Sequence, residues 1–266
     1  MIDILQKAAR NAGEVLMKYF NQGVTASYKS SHKNLVTVAD LASQKIIYET
    51  IVTKMVQKGF KKDEIGFIGE ENLNINGKYK FIIDPLDGTN NFASGYGYFC
   101  VSIAYAINNK TVAGVIYNPS SNILYTTELG KGSYKVSFHQ KKLLKVQKKK
   151  LKDSLLAAIF NTKEIIFHDE FKIYEKIYPV IRGLRANQST ALDMCNLADN
   201  IFQIHVNGNS YIWDIAAAKL IVEESNASVT DWQGKEIKLD FNNPKKSYRF
   251  IACHSKLLHE VLKFFD

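Results

Sequence analysis

The chemistry in this chain concentrates where an apolar run, Phe81-Ile82-Ile83, breaks into Asp84-Pro85-Leu86-Asp87-Gly88-Thr89-Asn90-Asn91-Phe92. The run reads as a buried strand, and the Pro, Gly and Asn residues after it read as a turn at the strand end. Asp84 and Asp87 stand three residues apart on that turn. Two carboxylates held so close repel each other, and a cation between them relieves the repulsion; hard oxygen ligands suit Mg²⁺. Pro85 stiffens the turn, and Gly88 lets backbone N–H groups approach an anion with no Cβ in the way. A divalent cation beside exposed amides points to phosphate chemistry. A strand followed by an Asp/Gly/Asn turn with no chemistry is the plainer alternative for any single Asp-Gly pair.

The full string Asp-Pro-Leu-Asp-Gly-Thr-Asn-Asn-Phe resembles the signature of the inositol monophosphatase family of Mg²⁺-dependent, lithium-sensitive phosphatases. Haloacid-dehalogenase-type phosphatases carry a related Asp-x-Asp-Gly-Thr whose first Asp is the nucleophile. Here the two acids sit one position further apart, and Pro85 takes the place of that nucleophile. Two further stretches extend the resemblance over most of the chain. Phe67-Ile68-Gly69-Glu70-Glu71 is similar to the family's second signature and implies Glu70 as a metal ligand that also touches the attacking water. Trp213-Asp214-Ile215-Ala216-Ala217-Ala218 is similar to the third and implies Asp214 as a ligand from the far lobe, with small side chains letting helix and sheet pack closely. Without the resemblance, adjacent glutamates read as solvated surface, and an Asp opening an Ala-rich helix reads as a dipole partner.

The elements that must position these residues follow from periodicity. Apolar residues at Leu5, Ala8, Ala9, Ala12 and Leu16 predict an amphipathic opening helix. Residues 29–34 read as a polar loop, and a second helix runs through Ile46, Ile47, Ile51 and Met55, with Asp40 where its N-cap is expected. Asn34-Leu35-Val36-Thr37 with Asp40 also resembles the family, which implies that Asp40 hydrogen-bonds Thr89 as a base partner. Residues 99–107, 112–117 and 124–127 predict an antiparallel meander, and 167–180 a helix whose acids Asp169, Glu170 and Glu175 are mostly solvated. Ser189 or Thr190 should cap a helix. Family members usually carry glycine where Gln188 stands, in a small-residue turn near the substrate. Residues 202–206 read as a strand and Asn207-Gly208-Asn209-Ser210 as a turn; relatives specialised for inositol phosphates often present an acid at the place of Asn207.

Composition narrows the rest. Nearly half of the 266 residues are apolar, no linker stands out, and no apolar run approaches membrane-spanning length. Charges near Met1 fall where a signal peptide would need its apolar core. Cys100, Cys195 and Cys253 are odd in number and far apart, so neither a disulfide framework nor a thiolate zinc site is indicated; a cytoplasmic location fits. The net charge of +9 could draw nucleic acid, anionic lipid or a phosphorylated substrate. Much of it lies in Lys141, Lys142, Lys145, Lys148, Lys149, Lys150 and Lys152, which read as a solvated edge or as a polyanion patch. The six histidines show no ligand spacing, and no Walker loop, Gly-x-Ser-x-Gly elbow or His-Glu-x-x-His occurs.

The resemblance implies an α/β fold, a layered αβαβα sandwich in one domain over 1–266, with lobes of roughly 1–150 and 151–266 sharing the metal site, in a homodimer. Periodicity alone supports a mixed α and β domain. The implied metal set is Glu70, Asp84, the Leu86 carbonyl, Asp87 and Asp214, holding two or three Mg²⁺ ions, with water activated by the metal and its proton passed toward Thr89 and Asp40. Asp87, Gly88, Thr89, Thr190, Asn207 and Asp214 would contact substrate. That substrate is inositol monophosphate or a related sugar phosphate, with 3′-phosphoadenosine 5′-phosphate, fructose 1,6-bisphosphate and histidinol phosphate as alternatives. A binding role toward RNA or the transcription machinery is the reading from another class.

Overall fold

A computed structural model describes residues 1–22, 26–28, 35–138, 140–161 and 164–265, with the backbone alone for 26–28, 35–37 and 164–167. The loop expected at 29–34, and His32 and His139, lie outside the described residues. The first half contains α1 (Ile2–Gln22), β1 (Ala26–Tyr28), β2 (Leu35–Thr37), α2 (Val38–Gln57), β3 (Ile65–Gly69), β4 (Asn74–Ile75), β5 (Tyr79–Asp87) and the short α3 (Thr89–Ala93). A meander follows: β6 (Cys100–Ile107), β7 (Lys110–Asn118), β8 (Ile123–Glu128), β9 (Ser133–Ser137) and β10 (Gln140–Leu143). The second half runs β11 (Leu155–Ala158), α4 (Glu164–Ile177), β12 (Gly183–Arg185), α5 (Thr190–Ala198), β13 (Ile204–Ser210), α6 (Ile212–Glu224), β14 (Ser228–Thr230), β15 (Tyr248–Cys253) and α7 (Ser255–Leu262).

Strands β3 to β10 form one sheet in the order β10-β9-β8-β7-β6-β5-β3-β4, with β3 parallel to β5 and the other pairs antiparallel. A smaller sheet has the order β12-β11-β13-β15-β14, with β11 parallel to both its neighbours. Alternation along the strands makes the layers. Phe81, Ile83, Val101, Ile103, Val115 and Tyr117 face α1 and α2, while Ile82, Cys100, Ala104 and Ile116 face α5 and α6. On the second sheet Ala157, Phe250 and Ala252 meet the same two helices, and Leu156, Val206 and Ile251 turn outward to α4 and α7. The result is the expected αβαβα sandwich. No helix among the described residues is long and apolar enough to cross a membrane.

Helix α6 lies between two sheets and is apolar around most of its circumference, with Lys219, Glu223 and Glu224 on the edge that reaches solvent. Small residues bring it close to the large sheet. A Cβ on Gly114 of β7 would lie 3.1 Å from the Ala217 Cα and 3.2 Å from its Cβ. That contact fixes how near α6, with Asp214 in its first turn, stands to β5 and β6. Strand β13 continues through 207–210, where a turn was expected; its register with β15 shifts between Asn207 and Ser210, which marks a bulge. His205, on the middle-layer face of β13, is fully buried against the Ala157 carbonyl at 3.0 Å, and burial lowers its pKa to about 4. It is structural. Gly114→Val should push α6 off β7 at a cost of about 1–3 kcal/mol, read as a lower urea midpoint; an unchanged midpoint would show that the spacing is set elsewhere.

Candidate active site

The turn after β5 is built by its own side chains and by a strut from α2. Asp84, buried on the middle-layer face, accepts the Leu86 N–H through Oδ1 at 3.0 Å, which curls the chain around its own carboxylate. The pairing of β5 with β6 shifts register between Asp84 and Asp87 at the same place. Ser43 of α2 donates to the Pro85 carbonyl at 2.8 Å, and Thr89 donates to the Leu86 carbonyl at 3.0 Å. Gly88 has φ 91°, and a Cβ there would stand 2.9 Å from the Tyr98 carbonyl oxygen, so conformation and space both require glycine.

Three further acids are gathered around Asp84. Parallel pairing of β3 with β5 sets Gly69 opposite Ile83, so Glu70 leaves its strand beside Asp84; the Glu70 N–H donates to the Ile83 carbonyl at 3.4 Å. Asp87 accepts three donors on Oδ2: the Ser189 hydroxyl at 2.6 Å, the Ala191 N–H at 2.8 Å and the Cys100 thiol at 3.7 Å. Asp214 accepts the Tyr211 N–H on Oδ2 at 2.7 Å, a helix-start bond. Burial holds the Asp84 carboxyl well above its ordinary range, and the charges of Glu70, Asp87 and Asp214 push it further. Burial lifts Asp214 to about 8, with Asp87 adding to the rise and the Tyr211 N–H opposing it. Burial also raises Asp87, against the pull of its hydrogen bonds to Ser189 and Ala191.

Among the described residues no three acid, His or Cys side chains converge on a single cation position. Like charges repel, and Asp87 and Asp214 each turn an oxygen to a donor; all of these bonds fall on Oδ2. Four hard-oxygen acids in mutual repulsion, with Oδ1 of Asp87 and Asp214 outside those bonds, fit a divalent cation such as Mg²⁺.

The other expected site residues fall into two groups. Gly88 and Thr89 open α3 as expected. Asp40 is buried in the first turn of α2, but as its third residue: the helix starts at Val38, directly off β2, so Asp40 is not the N-cap. Ser189 occupies the N-cap position of α5 without capping it: Asp87 accepts the Ala191 N–H that a cap would take, and the Ser189 hydroxyl donates to the same carboxylate. Asn207, 1% exposed, donates to the Thr190 hydroxyl at 3.0 Å and accepts the Asn209 N–H at 2.9 Å. Its amide is engaged within the protein.

Some residues of the network around the site escaped the sequence reading. Glu170, expected in solvent, is fully buried and accepts the Asn161 N–H at 3.0 Å, the Asn161 side-chain amide at 2.6 Å and the Gly208 N–H at 2.7 Å. The signal was present: Glu170, Ile173, Tyr174 and Ile177 form one i, i+3, i+4, i+7 stripe, the inward face of α4. Ser43 left no such signal. Neither did the network in which the Tyr98 hydroxyl donates to Asp193 at 2.6 Å, Asn187 donates to the same oxygen at 2.9 Å, and Asn196 donates to Tyr98 at 2.7 Å. Burial raises Asp193 to about 7.

The sign of these shifts gives a measurable consequence. Carboxyls whose folded pKa lies above the unfolded value favour the protonated folded state, so their contribution is full below about pH 4 and is lost as pH rises toward 8. Chelator-treated protein should therefore lose stability from pH 5 to pH 8, and Asp214→Asn should flatten that slope in urea melts. A wild-type slope of the opposite sign would contradict the clustering.

Comparison with known proteins follows the same lines as the geometry. A sequence profile of the Inositol monophosphatase family matches residues 1–263. The chain is 33% identical to "Nus factor SuhB" of Haemophilus influenzae over 98% of this chain and 94% of that one. It is 32% identical to "Inositol monophosphatase 2" of Solanum lycopersicum, covering 90% and 89% of the two chains. The crystal structure of the extragenic suppressor protein suhB from Bartonella henselae superposes with a TM-score of 0.87 at 28% identity, covering 99% of this chain and 97% of that one. With its layered fold, its gathered acids and a profile match over nearly its whole length, the chain belongs to the inositol monophosphatase family.

Proposed function

We propose that the protein is a Mg²⁺-dependent phosphate monoester hydrolase acting on inositol monophosphate or a related small sugar phosphate. The observation that carries this reading is Asp84, buried just before α3 with Glu70, Asp87 and Asp214 gathered around it, so that burial first and then their charges raise its pKa. Glu70, Asp84, the Leu86 carbonyl, Asp87 and Asp214 would hold two or three ions. Ions held there would supply the positive charge that polarises the ester and acidifies a water. The chain's own groups would do the rest. Backbone N–H groups of Gly88 and Thr89 would take the phosphate oxygens. Glu70 would orient the attacking water, and its proton would pass toward Thr89 and Asp40, the Thr89 hydroxyl turning for this from the Leu86 carbonyl to which it donates. Asp87 and Asp214 would also border the leaving group, with Thr190 beside them and Asn207 holding Thr190 in place.

In this reading the 1–150 half brings Glu70, Asp84 and Asp87, the 151–266 half brings Asp214, and the two form one catalytic domain of a cytoplasmic homodimer. The inositol monophosphatase relatives support the substrate class. Asp84→Asn should lower Mg²⁺-dependent phosphate release by about 10²-fold or more while circular dichroism and cooperative melting persist. A folded mutant with full turnover would remove Asp84 from the mechanism.

A second reading draws on the relatives called Nus factor and on the lysines. Lys141, Lys145, Lys148, Lys150 and Lys152 are exposed along β10 and the segment after it. Such a strip suits RNA or a partner in transcription. If it binds RNA, replacing Lys148, Lys149 and Lys150 by Gln should weaken binding and its salt dependence together and spare phosphate release; equal retention of RNA by both proteins would count against it.

A further inference from the structure

Strands β3 and β5 carry Glu70 and Asp84 side by side and then part. Their parallel pairing ends at Gly69 opposite Ile83. Past that pair the Glu70 N–H reaches the Ile83 carbonyl only at 3.4 Å, beyond ordinary hydrogen-bond length. The turn that carries Glu70 is tied to itself instead: the Gly69 N–H donates to the Leu73 carbonyl at 2.7 Å and the Asn72 N–H to the Glu70 carbonyl at 2.8 Å. Acids that repel one another push two such turns apart.

Helix α2 meets both turns with consecutive residues. Ser43, fully buried, donates to the Pro85 carbonyl at 2.8 Å, in the turn between Asp84 and Asp87. Gln44 donates through Nε2 to the carbonyl of Glu71, the residue after Glu70, at 3.2 Å. Neither side chain is charged, so each grips backbone without adding to the repulsion. The approach is close: a Cβ on Gly69 would stand 2.7 Å from the Gln44 Oε1, an oxygen that is buried without a hydrogen-bond partner. An orphaned buried oxygen costs stability, so the Gln44 amide is not kept there for stability alone. The helix fixes its two side chains about 100° apart, and Ser43, Ile47, Ile51 and Met55 form the buried stripe that seats α2.

We propose that Ser43 and Gln44 are positioning residues that act as one clamp and fix the separation of Glu70 from Asp84 for a divalent cation. The inference rests on the metal-dependent phosphatase reading and names what sets the spacing of two of its acids. The clamp's bonds lie in series, from the Pro85 carbonyl through Ser43 and Gln44 to the Glu71 carbonyl, so loss of either opens the same gap.

The test titrates chelator-treated wild type, Ser43→Ala, Gln44→Met and the double variant with Mg²⁺ in a calorimeter, and melts each in its metal-free form. Methionine keeps the volume of Gln44 and removes both its hydrogen bond and its orphaned oxygen. Each single variant should raise the Kd for Mg²⁺ about fivefold. The double variant should also stand about fivefold above wild type, where independent effects would multiply to about twenty-five-fold. Metal-free Gln44→Met should melt no lower than wild type. Effects that multiply, a Kd within about twofold of wild type in both single variants, or a loss of affinity in Gln44→Met that comes with a lower metal-free melting temperature would each overturn the clamp. Wild-type protein that binds no Mg²⁺ defeats the phosphatase reading and this inference together. A wild type that binds Mg²⁺ no better than its variants defeats this inference alone.

Discussion

A carboxylate removed from water and surrounded by other carboxylates is among the least favourable groups a fold can contain, and Asp84 is such a group. The turn that carries it has little freedom to relax. Its own Oδ1 takes the Leu86 N–H, Ser43 grips the Pro85 carbonyl, and Gly88 lies against the Tyr98 carbonyl with no room for a Cβ. Glu70 is delivered by parallel pairing and Asp214 by the start of a helix that is itself buried between sheets. Each element is ordinary, and together they create a standing demand for positive charge.

The acids meet in the middle layer, and the seam between the two halves sets their geometry. Ser189 and Ala191 reach from the start of α5 to Asp87, Asn91 reaches from α3 to Asn187, and Tyr98 reaches from the segment before β6 to Asp193. The Gly114–Ala217 contact sets the depth at which α6 sits. Behind the seam, Glu170 of α4 holds the Gly208 N–H at the bulge of β13, which in turn places Asn207 on Thr190. At the far edge Lys135 and Lys142 close on Asp199 at the end of α5, so part of the lysine-rich edge has a structural partner.

Much of this was legible in the sequence for identifiable reasons. Alternation in Phe81-Ile82-Ile83 and in β6 and β7 gave strands with two buried faces, and the stripe Leu5, Ala8, Ala12, Leu16 gave α1 its buried side. The acids Asp84 and Asp87 were visible because Asp, Pro and Gly cluster at one strand end. What stayed hidden depends on contacts distant in sequence. Ser43 and Ser189 are unremarkable until folding brings them to Pro85 and Asp87. Asp40 was displaced from a cap because β2 runs directly into α2. The 207–210 segment carries Gly and Asn and reads as a turn, yet a buried carboxylate from another element holds it in the strand. Glu170 was misread because charge was weighed above spacing.

The central claim is that the raised acids exist to receive a divalent cation, and cation binding must then expel the protons those acids carry. Calorimetric titration of chelator-treated protein with Mg²⁺ at pH 7, repeated in buffers of different ionisation enthalpy, measures this directly. The account predicts a binding heat that changes with the buffer and corresponds to release of about one proton or more. It also predicts that the buffer dependence shrinks in Asp214→Asn. Binding with a heat independent of buffer, or no binding at millimolar Mg²⁺, would contradict it.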